Sequence, residues 1–176
     1  MVFNALHVCD GRHWHPTSSA CTRPDTDLTS RSYRHWGSGN CPPHYHDQSW
    51  LSADDEFHYG QVGWHDSHCP PDAYAVSTHS FAAIEFPLPT VIKRFRVLLH
   101  DVTAKKCYFQ GSFDSSDGLN GVWHTLYGIF DFPDGPVGTW SGYYTFSNQD
   151  AFTVYRLSCP GTGIHALHEW EMFCNL

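Results

Sequence analysis

Between residues 80 and 173 the apolar positions fall in short runs: "FAAIEF", "VIKRFRVLLH", "KCYFQGSF", "VWHTLYGIF", "WSGYYTF", "AFTVYRLSC" and "IHALHEWEMF". In the second run Val91, Phe95, Val97 and Leu99 share one parity while Arg94 and Arg96 take the other, the period of two of a half-buried strand. The intervening "FPLPT", "SSDGLNG" and "FPDGPVG" put Pro, Asp-Gly and Gly where the backbone must reverse, and each would break a helix. Strands of this number and spacing predict an all-β fold, an antiparallel β-sandwich. The nearest approach to a helix is "DQSWLSADDEF", where Ser49 or Ser52 could cap a short turn.

Residues 1–48 lack such periodicity. Their "TSSACTRPD" and "WGSGNCPPHYH" are turn chemistry, and they read as an irregular Cys/His-rich N-terminal arm held by Cys9, Cys21 and Cys41. Residues 49–176 then form the sandwich domain. A chain of 176 residues that is 41% hydrophobic supports one core and is short for two. The net charge of −8, with 10 Lys plus Arg mostly scattered, argues against nucleic acid as a partner. No apolar stretch approaches the roughly 18 residues of a membrane span. Seven cysteines in a loop-rich chain suggest an oxidising compartment, secreted or surface-exposed, with at most three internal disulfides and one thiol over. "MVFNALHVC" is not a secretory leader, so export is expected either after removal of one or by another route, as for a virion component.

Several later segments, in this order, resemble the discoidin family (coagulation-factor type C domains) of the galactose-binding-like jelly rolls. They are "GWHDS" at 63–67, "IEFPLPTVIKRFRV" at 84–97, "CYFQGSFDSSDGLNGVWHTL" at 107–126, "FSNQDAFTVYRL" at 146–157 and "LHEWEMFC" at 167–174. The resemblance covers roughly residues 48–174 and leaves the arm unexplained. It implies that the Tyr155-Arg156-Leu157 strand is central and that Trp123 belongs to the scaffold. Arg156 is then structural, spread over aromatic faces or paired with a carboxylate, Glu169 or Glu171 being the expected partner. It also implies that the termini lie side by side, so that Cys174 pairs with Cys9, or failing that Cys21. Cys107 and Cys159 sit within strands, where a free thiol and a cross-strand bridge are both open.

Members of this fold bind ligands through loops at one end of the sandwich, with aromatic faces and planar polar groups suited to sugars. The loop "YGQVGWHDSHCPPDAY" offers Trp64, His65, Asp66, His68 and Tyr74; the resemblance puts Trp64 at a position that packs inside, leaving His65, Asp66 and His68 to bind. Asp131, Asp134, Trp140 and Tyr143 in "FDFPDGPVGTWSGYY" are expected to form another wall of the same pocket, with Trp140 equally suited to the core. "SFDSSDGLNG" is about five residues longer than the family's usual turn and supplies a possible contact surface.

The resemblance further implies a structural calcium site, for which Glu169 matches the closing-strand carboxylate; Asp54 or Asp55 would replace the family's missing Asp-Gly. Cys41, His44 and His46 with His65, His68 and Cys69 have spacings a zinc ion could use, but no paired C-x-x-C element accompanies them, and disulfide use is preferred. No nucleophile elbow and no paired carboxylates point to an enzyme. The sequence therefore reads as a non-catalytic extracellular module that recognises a glycan or glycoprotein. The alternative is a structural subunit of an extracellular fibre or virion appendage, associating with other copies of itself through the arm and loops.

Overall fold

A computed structural model describes residues 8–9, 14–15, 27–29, 33–37, 64–65, 79–99, 106–131, 135–160 and 166–175. Among them every regular element is a strand. β1 (Val8–Cys9) and β2 (Trp14–His15) form a short ladder of their own. A five-stranded sheet has the order β3 (Arg34–Gly37), β5 (His79–Thr90), β10 (Phe152–Pro160), β7 (Cys107–Ser112), β8 (His124–Phe130). A four-stranded sheet has the order β4 (Trp64–His65), β11 (Ala166–Phe173), β6 (Arg94–Leu99), β9 (Tyr144–Thr145). All pairings are antiparallel, and the two sheets face one another as the sandwich that the hydrophobic pattern predicts.

The alternation that defines each strand also sorts its side chains. In β6, Phe95 and Val97 enter the core while Arg94 and Arg96 stay on the outer side. In β10, Tyr155, Leu157 and Cys159 point inward and Arg156 points outward. Phe95 stacks on Phe109 with centroids 4.4 Å apart and on Tyr144 at 4.8 Å, while Trp170 from β11 closes edge-on against Phe109. The core is thus built around aromatic rings from both sheets, which bury large apolar area per residue.

Two local features fix the strands further. The β5–β10 register slips by three residues between the pairs Thr90↔Phe152 and Glu85↔Val154, where Pro87 and Pro89 have no N–H to continue the ladder. Gly111 on β7 is needed because a Cβ there would lie 2.5 Å from the Phe152 ring. A disulfide joins Cys107 of β7 to Cys159 of β10, with Cα atoms 4.1 Å apart, so the bridge and not the pair of thiols is the outcome at these positions. Cys174 is also disulfide-bonded; its partner, and with it the choice between Cys9 and Cys21, lies outside the described side chains.

Parts of the stretch read as an irregular arm belong to the sandwich. β3 adds to the edge of β5, pairing Arg34 with Glu85 and Trp36 with Ala83. The Leu28 N–H donates to the Met172 carbonyl at 2.9 Å, and the Met172 N–H donates to Asp27 Oδ1 at 2.8 Å. Leu28 and Tyr33 also pack against the main core. Four residues, Arg-His-Trp-Gly, are too few and too polar to announce such a strand from periodicity.

Candidate functional site

Strand direction decides what shares an end. β4, β6, β8 and β10 all run toward one end, where the chain leaves them at His65, Leu99, Phe130 and Pro160. The opposite end carries the 91–93, 113–123 and 146–151 connections and Cys174. That second end is tied down by Tyr155, whose hydroxyl donates to the Thr90 carbonyl and accepts from the Ile92 N–H at 3.3 Å. Burial pushes this hydroxyl far above the ordinary tyrosine range. Asn148 donates from Nδ2 to the Ile92 carbonyl at 3.0 Å and completes the fastening.

The strands that bound the expected binding loops meet the first end. β4 holds Trp64 opposite Leu167 and His65 opposite Ala166, and the chain re-enters the fold at His79 of β5, at the same end. Asp66, His68, Asp134 and the proposed calcium ligand Asp55 lie outside the described residues. Asp131 is exposed just beyond β8, and its carbonyl accepts a hydrogen bond from the Tyr144 hydroxyl at 3.2 Å. Burial raises the pKa of that hydroxyl to about 12.

Trp140 and Tyr143 stand across the four-stranded sheet from β4. Trp140 bridges to Leu98 at the β6 edge of the four-stranded sheet, three strand steps or roughly 14 Å from β4. There the Arg96 guanidinium lies 4.2 Å from the Trp140 centroid and 5.2 Å from that of Tyr143, while Arg94 lies 4.4 Å from Tyr143 and 4.9 Å from Phe173. A ladder of alternating rings and guanidinium groups thus runs along this flank. Arg96 also bonds the Glu171 carboxylate through Nε, which raises the already high pKa of the guanidinium. Trp140 and Tyr143 therefore have ring faces engaged by arginine, across the same four-stranded sheet from β4.

Arg156 does not pair with Glu169 or Glu171, because both belong to β11 in the other sheet. Its partners are three oxygens and a ring. Nε donates to Gln110 Oε1 at 2.9 Å, and Nη1 donates to the carbonyls of Gly118 at 3.2 Å and Leu119 at 2.9 Å. The Trp123 ring lies with its centroid 3.7 Å from the guanidinium carbon. Only 7% of Arg156 remains exposed, and burial lowers its pKa to about 10, so it stays charged at neutral pH.

What Arg156 holds is the long connection between β7 and β8. Ser112 Oγ accepts from the N–H groups of Asp114 and Ser115, Asp114 Oδ1 accepts from Val122 N, and Asp117 Oδ1 accepts from Leu119 N and Asn120 N. The Asn120 side-chain amide on Asp117 and the Val122 N–H on Asp114, followed by the remaining donors, stabilise the charged carboxylates and lower the pKa values of both. The loop folds back across the outer face of the five-stranded sheet, where Gly118, at φ +72°, sits so low that a Cβ would come within 2.8 Å of Ala83 Cβ. Phe81, Ala83 and Val154 form a second small core there under Trp36 and Trp123. Trp36 and Gln110 were not foreseen as contributors; the only signal was a tryptophan in the arm and a polar residue amid an apolar strand.

Glu169 is 1% exposed, and its Oε1 accepts from the Trp170 N–H at 3.2 Å. Among the described residues no group of three His, Cys, Asp or Glu side chains could hold a metal ion.

No protein-family model and no curated protein matches the sequence significantly. Solved structures do match it in fold. The Clostridium perfringens module CpGH89CBM32-5, solved in complex with GalNAc-β-1,3-galactose, aligns with TM-score 0.61 at 15% identity over 84% of this chain and 99% of its own. Chitosan-binding module 1 from a chitosanase/glucanase of Paenibacillus sp. IK-5 gives 0.58 at 16% identity, over 84% of this chain and 98% of that one. The F5/8 type C domain of a Bacteroides fragilis protein gives 0.60 at 11%, over 82% and 93%. With its two antiparallel sheets in this order, the chain has the discoidin-like, galactose-binding-like β-sandwich fold.

Proposed function

We propose that the chain is a non-catalytic glycan-binding module that works outside the cell. The observation that carries this reading is the match along nearly the whole length of two modules named for glycans, one chitosan-binding and one in complex with GalNAc-β-1,3-galactose. The buried Cys107–Cys159 disulfide suits an oxidising compartment. The ligand would sit at the end where β4 releases the chain toward Asp66 and His68 and where β8 releases it toward Asp131 and Asp134. His65, Asp66 and His68 supply planar polar donors and acceptors of the kind sugar hydroxyls need. The fibre-subunit reading gains no support from Asp27, Leu28 and β3, the described part of the arm bonded to this chain's own β11 and β5.

The test is a glycan array probed with the intact chain and with Trp64→Ala, His65→Ala and Asp66→Ala. Retention of one glycan class, weakened at least tenfold by His65→Ala or Asp66→Ala with unchanged thermal unfolding, is the expected result. An empty array would end the glycan reading. Binding indifferent to all three changes would move the site away from this loop.

A further inference from the structure

The connection clamped by Arg156 contains the one Asn-Gly pair of the sequence, Asn120-Gly121. Both residues are exposed. Around them the backbone amides are claimed: Leu119 N and Asn120 N donate to Asp117 Oδ1, at 2.9 Å and 2.7 Å, and Val122 N donates to Asp114 Oδ1 at 2.9 Å. Among the described residues the Gly121 N–H has no acceptor. The Asn120 side chain is itself positioned, with Nδ2 donating to Asp117 Oδ2 at 2.7 Å. Gly121 has φ +122° and no side chain to shield its nitrogen.

From this geometry we infer that Asn120-Gly121 is a site of spontaneous backbone-assisted deamidation. The Gly121 nitrogen, having given its proton to solvent base, attacks Asn120 Cγ and forms a C–N bond. The tetrahedral carbon then expels Nδ2, which leaves as ammonia after taking a proton from water, and a five-membered succinimide remains. One water opens this ring at either carbonyl, giving an aspartate or an isoaspartate whose chain runs through the side-chain carbon. No oxidant or reductant is involved; the net change is amide plus water to carboxylate and ammonium.

The product acts on the loop. The Asn120 side-chain donor is the chief reason that the Asp117 carboxyl is held acidic, and deamidation replaces that donor with a second carboxylate in contact with the first. Asp117 fixes Leu119 and Asn120, and Arg156 binds the Leu119 carbonyl, so the repulsion is delivered directly to the clamp. The isoaspartate form adds a backbone atom to the same turn. The loop consequently loosens with the age of the molecule.

The experiment is to incubate the folded, disulfide-intact chain at mildly alkaline pH and follow it by peptide mass spectrometry with isoaspartate labelling. The expected result is a gain of one mass unit at Asn120 with both isomers present, and its absence in Asn120→Gln, whose longer side chain closes an imide far more slowly. Asn120→Asp should unfold at a lower temperature than the parent and show faster amide exchange at Leu119 and Val122. A folded chain that stays unmodified while the urea-unfolded chain gains the mass unit would overturn the inference. So would modification confined to Asn4, Asn40, Asn148 or Asn175.

Discussion

Replacing Arg156 tests whether one buried cation holds the β7–β8 connection. In Arg156→Met the aliphatic stem and its packing are retained, while the bonds to Gln110, Gly118 and Leu119 and the contact with Trp123 are lost. The Leu119 carbonyl is the least affected, since it keeps the Trp123 Nε1 donor at 3.1 Å and the residue is exposed to water. Gly118 is buried, so its carbonyl loses a donor that solvent replaces poorly, at a cost of about 1–3 kcal/mol. The ring contact adds about 1 kcal/mol. Relief from desolvating the guanidinium, visible in its depressed pKa, offsets part of the sum. A net loss of about 2–3 kcal/mol remains, or roughly 4–12 °C in Tm for a domain of this size. Arg156→Lys keeps the charge but lacks the planar fork that reaches three oxygens, and should recover less than half of the loss. Differential scanning calorimetry gives the energies, and amide exchange at 118–123 locates them. A Met variant within about 0.5 kcal/mol of the parent, the range of an ordinary surface change, would refute the clamp.

Three further outcomes follow from the same structure. Cys107→Ala with Cys159→Ala removes a bridge across 52 residues, and chain-entropy reasoning sets the loss at up to about 4 kcal/mol, read by urea unfolding of the double variant against the parent. Gly118→Ala should cost about 1–3 kcal/mol, because its left-handed backbone and the 2.8 Å approach to Ala83 both resist a Cβ; the shift in the urea midpoint measures it. At high pH the Tyr144 and Tyr155 hydroxyls, both raised above 10 in the fold, ionise first in the unfolded chain. Their contribution is therefore full below pH 10 and is lost for Tyr144 as pH rises toward about 12; Tyr144→Phe should flatten the fall of Tm in that window.

How far the sequence could be read depended on whether a feature was local. The two-residue period of Val91 to Leu99 is local, and β6 buries Phe95 and Val97 as that period demands. The partner of Arg156 is not local. Glu169 and Glu171 resemble obvious counter-ions, but assigning them requires knowing that β11 joins β6 in the opposite sheet, where Glu171 meets Arg96. Register likewise decides that Cys107 and Cys159 meet, because Phe109 opposite Leu157 brings them side by side two residues later. Trp140 and Tyr143 show the same limit: their place in the chain suggested a loop wall, and strand order puts them beside Arg94 and Arg96. β3 left no pattern at all, since its pairing with β5 is recorded only in the ladder.

The division of surfaces bears on where a ligand can act. The outer face of the five-stranded sheet is covered in part by the 113–123 connection, which Arg156 and Gly118 draw down onto Ala83 and Trp36. One flank of the four-stranded sheet carries the arginine–aromatic ladder, and its other edge is capped at Met172 by Asp27 and Leu28. The end bearing Cys174 is fastened by Tyr155 and Asn148. Rigid fastening at one end would serve the recognition proposed at the other: loops that emerge from strands so firmly registered lose less conformational entropy when a ligand orders them. A polar, multi-hydroxyl ligand gains only modest energy per hydrogen bond, so that saving matters more for it than for an apolar one. Arg156→Met should leave affinity at the proposed His65 site nearly unchanged while loosening 113–123, since Arg156 stands midway along β10 on the outer face of the five-stranded sheet, whereas His65 belongs to β4 in the four-stranded sheet, with the core between them.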